Sequence, residues 1–364
     1  MAELLTIATA MGEHAITAAD TRLHLLATLP PNAASRFAQM FDASANEMRH
    51  FVLPLDQVRQ LDTLEARNRE YMRHALRLGD AVGREALRNA GVTADEITAI
   101  IGVSSTGYLM PTLETHLIER LGLSPRCRRV PLTQLGCAGG VASLALAAAF
   151  TADATSKVLV VAVELPSLSF PTIEPSPSDI VASMQFGDGA AAAVVSADHG
   201  TRGPTVLASG SVVFPETIDC DGVHLTTTGL RLMRPRGLAA ILRRHLGEAV
   251  EQFLARHNVA VSEIGFWIVH PRNPELLSAA ASSLRLDDAA LTASREVWRR
   301  SGNIISAAVF HVLDELCVSA PPNAGTLGVM VAFGAGFSCE MVLLRAAGWL
   351  SGEERWRQAP IARG

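Results

Sequence analysis

Lysine is almost missing from this chain: Lys157 is the only one in 364 residues, and arginine carries the other fixed positive side chains. Any anion site is therefore expected to be built from arginine, and "FGDGA" (186–190) and "FGAGFS" (333–338) lack the lysine of a phosphate loop. A net charge of −5 gives no general attraction to nucleic acid or acidic lipid. Five cysteines, at 127, 137, 220, 317 and 339, form no CxxC pair and no Cys/His spacing suited to a metal. Neither a metal nor a redox cofactor is indicated, and the odd count argues for a reducing, cytoplasmic setting. The opening "MAELLTIATAMGEHAIT" carries Glu3 and no basic segment, so it reads as a first strand rather than a secretion signal. With 49% hydrophobic and only 18% charged residues, the composition is that of a globular protein with a large core.

One apolar run, "LGCAGGVASLALAAAF" from Leu135, invites a membrane reading. It is too short to span a bilayer, is rich in Ala and Gly, and lies among strand-like segments, so a buried core helix is expected. Strand-like runs at 97–105, 157–164, 190–197, 264–270 and 327–334 alternate with amphipathic helical patterns at 68–91 and 238–258. That alternation is the α/β pattern.

The pattern also repeats. Glu96-Ile97 and Glu263-Ile264 each open a strand after a short turn. Cys137 and Asn303 each stand at the start of an apolar helix, and Val158 and Gly328 each begin the next strand. The three offsets fall between 166 and 170 residues and keep the same order, which implies two copies of one βαβ-type half. We place the boundary in the turn-rich "DHGTRGP" (198–204), giving halves 1–204 and 205–364.

The repeat brings chemistry with it. "PLTQLGCAGG" sets Cys137 among Gly136, Gly139 and Gly140 at a strand-to-helix turn, where a helix N-terminus favours a thiolate. His270 ends a strand in "WIVHPRNP", where open α/β sheets commonly place functional groups. Asn303, in "RRSGNIISAAV", either caps its helix or donates its amide to a developing oxyanion. A pseudo-twofold packing of the halves would let Cys137, His270 and Asn303 converge as an acyl-transfer site. Cys127, Cys220, Cys317 and Cys339 read as small apolar residues.

At these residues the sequence resembles the type III polyketide synthases, the thiolase-fold group that includes chalcone and stilbene synthases. The resemblance is carried by "GEHAIT", "STGYLMPTLETHLIERLGL", "QLGCAGG", "QFGDGAAAAVV", "HPRNP", "SGNIISA" and "AFGAGFSCEMVLL", in order along nearly the whole chain. It implies a layered αβαβα fold of two pseudo-repeated halves. By position it makes Cys137 the nucleophile, with His270 and Asn303 completing the triad. Phe186 then matches a gatekeeper ring between a coenzyme A tunnel and the cavity, and Met110 a residue pushed into the partner's cavity of a homodimer. Ser169 and Leu232 take positions that shape the pocket, and Arg49 is a candidate for the coenzyme A phosphates. The implied reaction loads an acyl-CoA on the cysteine, decarboxylates malonyl-CoA, condenses, repeats and cyclises. Substrates would arrive as coenzyme A esters or on a separate acyl carrier protein.

The departures bear on specificity. The family's "HPGGP" is replaced by His270-Pro271-Arg272-Asn273-Pro274, and Arg272 either narrows the cavity or binds an anion. Leu232 stands where a second gatekeeper ring is usual, which leaves Phe186 as the expected ring and favours an aliphatic starter, with a pyrone- or resorcinol-type product. A β-ketoacyl synthase III-like enzyme that condenses once is the nearest alternative, although its usual "HQAN" is absent. A non-catalytic thiolase-fold partner subunit is the alternative of another class.

Overall fold

Along each buried strand, side chains of alternate parity enter different cores, as the two-residue period of a strand requires. A computed structural model describes residues 1–28, 46–151, 153, 155–170, 177–197, 203–233 and 237–347. In strand β6 (Lys157–Glu164), Val158, Val160 and Ala162 face one core, while Leu159, Val161 and Val163 face another. In β12 (Leu327–Gly334), Met330 and Ala332 share that first core, and Val329, Val331 and Phe333 face a third. Because both faces are buried, these strands read as unbroken apolar runs.

The main sheet has nine strands. One side of it holds β5 (Arg128–Thr133), β4 (Ala99–Ser104), β6, β7 (Gly189–Ala197) and β1 (Ala2–Met11), in that order. The other holds β11 (Ile264–Val269), β12, β13 (Ser338–Arg345) and β8 (Thr205–Val213), and β8 joins β1. The two sets pair alike. β4 runs parallel to β6, and β6 is antiparallel to β7. Equivalently, β11 runs parallel to β12, and β12 is antiparallel to β13. The expected repeat is therefore present in the hydrogen-bonded ladders, while the turn proposed as its boundary lies mostly outside the described residues.

The helices Gly139–Phe150 and Ala308–Ser319 share the core between the two strand sets. The helices Leu64–Ala90 and Leu113–Leu121 cover the outer face of the first set. Leu238–Ala255 and Pro274–Leu284 cover the outer face of the second. Five layers result, αβαβα. The apolar run after Leu135 is the central helix Gly139–Phe150, not a membrane span. Among the described residues, no helix is long and apolar enough to cross a membrane. Two antiparallel pairs complete the strands: β2 (His14–Thr17) with β3 (Met48–Phe51), and the hairpin of β9 (Val223–Thr226) with β10 (Gly229–Leu232).

Candidate active site

Equivalent short 3₁₀ turns, Gly136–Ala138 and Ile305–Ala307, lead into the two central helices. Gly136 has φ +56° with open space beside it, so backbone conformation rather than crowding calls for glycine there. At Gly140 the reason is contact: a Cβ would collide with the Ser306 carbonyl oxygen and with Val309. The two helix starts therefore touch, and their functional residues meet between them.

Cys137 is buried, with its Sγ 3.7 Å from Asn303 Nδ2. The Asn303 Oδ1 accepts from the Ile305 backbone N–H at 2.9 Å and lies 3.9 Å from the same sulfur, so both ends of the amide face Cys137. Capping and function thus coexist in one side chain. His270 lies just past β11, with its backbone N–H donating to Val331 O at 2.9 Å and its Nε2–H donating to Ile305 O at 3.2 Å. Burial, reinforced by the Arg272 charge, pushes the imidazole down to about 3, so His270 is neutral. Burial pushes the Cys137 thiol up to about 11, and Arg272 is the strongest influence opposing it.

Arg272 forms a two-pronged ion pair with Asp221, at 2.5 and 2.6 Å. Both side chains are almost enclosed, 11% and 6% exposed. Of the two roles open to Arg272, the second is therefore modified: an internal partner, Asp221, already occupies the fork that would grip an external anion. Phe186 is spliced directly to Asn303, because Asn303 N–H donates to Gln185 O and Gly187 N–H to Asn303 O, at 2.8 and 3.1 Å. Leu232 packs against the apolar cluster of Cys137, Phe170, Ala182, Phe186 and Ile305. Phe170, 5.2 Å from Phe186 between ring centroids, supplies a second ring that the sequence reading lacked. The Ser169 hydroxyl donates to Thr106 O at 2.5 Å, so it ties the wall together rather than offering a free polar group. Met110 stands apart from this cluster at the surface, 76% exposed.

Arg49 requires a correction. It is 2% exposed, its guanidinium donates to Phe186 O at 3.2 Å and to Ser183 O and Thr21 Oγ1, and Asp188 opposes its charge. A guanidinium so enclosed supports the Phe186 backbone and is out of reach of a coenzyme A phosphate. The pattern "NEMRHF" could not reveal this, since β3 turns that side chain inward.

Sequence reasoning also missed Glu164, at the inner end of β6. It accepts from Ser105 N–H at 3.0 Å, Thr106 Oγ1 at 2.9 Å and Ser306 Oγ at 2.5 Å. Desolvation pushes its carboxyl up to about 7 despite those bonds. The available signal was a lone carboxylate closing "KVLVVAVE". Asp221 gave no comparable signal.

The Arg49 assignment makes a testable difference. Arg49→Met removes the donor to Phe186 O, Ser183 O and Thr21 Oγ1 and should cost about 1–3 kcal/mol in urea unfolding for the acceptors left unpaired. Unchanged stability together with a raised KM for an acyl-CoA would restore the phosphate-binding role.

Comparison with known proteins places this geometry. Residues 2–199 match chalcone and stilbene synthases, N-terminal domain, and residues 206–348 match the C-terminal domain. A 1,3,6,8-tetrahydroxynaphthalene synthase of Streptomyces peucetius is 35% identical over 344 residues, 93% of this chain and 91% of that protein. A phloroglucinol synthase of Pseudomonas fluorescens is 30% identical, covering 86% of this chain and 89% of its own. The crystal structure of 1,3,6,8-tetrahydroxynaphthalene synthase from Streptomyces coelicolor, a bacterial type III polyketide synthase, superposes with a TM-score of 0.90 at 30% identity. That match covers 96% of this chain and all of the other, 100%. With both domains matched and the relatives covered almost end to end, this chain belongs to the chalcone and stilbene synthase family of type III polyketide synthases.

Proposed function

We propose that this chain carries an acyl group from a coenzyme A thioester on Cys137 and extends it with malonyl units by decarboxylative Claisen condensation. The observation that carries this reading is the Cys137–Asn303 pair, a buried sulfur faced at 3.7 Å by an amide N–H and at 3.9 Å by the same amide's oxygen, which also accepts from Ile305 N–H. Thiol exchange keeps the acyl group activated, and the preorganised N–H is placed for the oxygen that gains charge in thioester attack and in enolate formation. The His270 Nε2–H is committed to Ile305 O, so Asn303 is the donor aimed at the reacting centre. All five cysteines are free, which supports a reducing, cytoplasmic setting. Cys137→Ala should abolish acyl loading while Cys317→Ala retains it; an acyl adduct located by mass spectrometry on another cysteine would overturn the assignment.

We assign an aliphatic starter and a small pyrone- or resorcinol-type product. Ala182, Leu232 and Ile305 form the aliphatic part of the wall around Cys137. Each methylene buried there is worth about 0.8 kcal/mol, so three or four of them favour a medium chain by about 2–3 kcal/mol. The Phe170–Phe186 pair reduces the expected discrimination against aromatic acyl groups without adding a ring at Leu232. kcat/KM for hexanoyl- to dodecanoyl-CoA should exceed that for coumaroyl- and benzoyl-CoA, and Leu232→Phe should reverse part of the preference. A tenfold advantage for an aromatic starter, or an indifferent Leu232→Phe variant, contradicts the assignment.

Met110 and Tyr108 are 76% and 62% exposed. Apolar side chains presented together in this way suit a contact between two copies. We accordingly expect a homodimer by light scattering at micromolar concentration; a monomer there refutes it.

A further inference from the structure

The β9–β10 hairpin pairs with no strand of the nine-stranded sheet. A two-stranded hairpin by itself is marginal in water, so its position is set by whatever anchors it. That position matters for the site. In the hairpin register Leu232 stands opposite Val223 and Leu230 opposite Leu225, so these four apolar side chains share one face. Leu232 packs on the cluster that contains Cys137, Phe170 and Phe186. Val223 and Leu225 are 48% and 70% exposed, so β9 has little packing of its own to keep it in place.

The anchors are spread along the hairpin. At its tip, Thr227 O accepts from Leu64 N–H at 3.0 Å. Along β10, Leu230 N–H donates to Ser169 O at 2.7 Å, and Arg231 Nε lies 3.1 Å from Asp179 Oδ2 on the helix Pro177–Gln185. At the base, Met233 N–H closes the hairpin on Gly222 O at 2.9 Å, and the residue before Gly222 is Asp221. Asp221 is held twice. Its carbonyl takes one bond, from Gly336 N–H at 3.1 Å, and its carboxylate takes both arms of the Arg272 guanidinium at 2.5 and 2.6 Å. The second contact is the stronger and the more directional, being two-pronged, charge-assisted and almost enclosed. Arg272 in turn sits on stiff backbone. It follows Pro271, its N–H donates to His270 O at 2.9 Å, and the next residue, Asn273, caps the helix Pro274–Leu284 through Leu276 N–H at 2.8 Å. Leu232 is thus tied, through Val223 and Asp221, to a rigid point beside His270.

We propose that the Asp221–Arg272 ion pair clamps the base of the hairpin and thereby sets the size of acyl group that the wall at Leu232 admits. The inference rests on the proposed acyl-carrying function, since size selection is read on acyl-CoA substrates. Both residues act through Leu232, so they are positioning residues that determine specificity. With the pair broken, the base of the hairpin shifts outward and Leu232 withdraws from the Cys137 cluster. Longer chains then gain room that shorter ones do not need.

Two measurements on the full chain test this. The first uses no substrate: hydrogen–deuterium exchange, followed by mass spectrometry on peptides within 221–233. Asp221→Asn, Arg272→Gln and Arg272→Lys should each speed exchange there at least about threefold, and leave β6 and β12 within about twofold of the parent. Arg272→Lys keeps the charge but cannot make the paired bonds, so it separates a directional clamp from a mere countercharge. The second is the ratio of kcat/KM for tetradecanoyl-CoA to that for hexanoyl-CoA, which the same variants should raise at least about threefold. Leu232→Ala should raise it as well, and adding Asp221→Asn to Leu232→Ala should change it by less than about 1.5-fold, because both act on one wall. A merely structural role would lower both kcat/KM values alike. An unchanged ratio, effects additive with Leu232→Ala, or unchanged exchange at 221–233 overturns the inference. If Asp221→Asn or Arg272→Gln does not fold, as judged by near-ultraviolet circular dichroism, Arg272→Lys, alone and with Leu232→Ala, decides both measurements. A hairpin that loosens as expected in a protein that takes no acyl group from any acyl-CoA refutes the proposed function, and the size assignment with it, while the clamp stands.

Discussion

The contact of two helix starts, Gly140 against the Ser306 carbonyl, is the constraint on which the site depends. It sets the separation of the central helices and therefore of Cys137 and Asn303, which stand at equivalent points of the two halves. A side chain at position 140 would force the helices apart, since packed interiors give little room for adjustment. The duplicated βαβ pattern thus does more than build a large core. It delivers one functional residue from each half to the same point, while His270 follows from the edge strand of the second half.

Polar anchors then hold the arrangement. Glu164 gathers Ser105, Thr106 and Ser306, linking the inner ends of β4 and β6 to the second helix start. Asp188 does the same below Phe186, accepting from Val52 N–H, Ser167 N–H and Ser167 Oγ at 2.9, 2.9 and 2.5 Å, with Arg49 as its opposing charge. Fully bonded carboxylates in a low-dielectric interior are costly to disturb, which makes them effective at specifying one geometry. Arg272 and Asp221 form a third anchor. A buried ion pair offers little net stability against an apolar pair, but removing one partner is costly, so this pair too fixes the geometry around it.

Much of this was legible in the residues. The parity of apolar positions, the repeat offsets and the glycines around Cys137 all follow from local rules, because strand period, helix entry and turn conformation are set within a few residues. Cys137, His270 and Asn303 were singled out for the same reason: each sits at an element end that a pattern marks. Arg49 failed because "NEMRHF" says nothing of which way the side chain turns, and the structure turns it beneath Phe186. Phe170 escaped notice because its packing on Phe186 spans a loop and a helix.

The sequence by itself determined the class of fold, the twofold plan and which polar groups to expect at the meeting point of the two helix starts. Only the tertiary structure decided that Arg272 is already paired with Asp221, that the Asn303 amide faces the Cys137 sulfur, and that burial pulls the His270 imidazole down. Those are properties of distance and desolvation between segments far apart in the chain. Charge state depends on what surrounds a group after folding, and no local pattern carries that information.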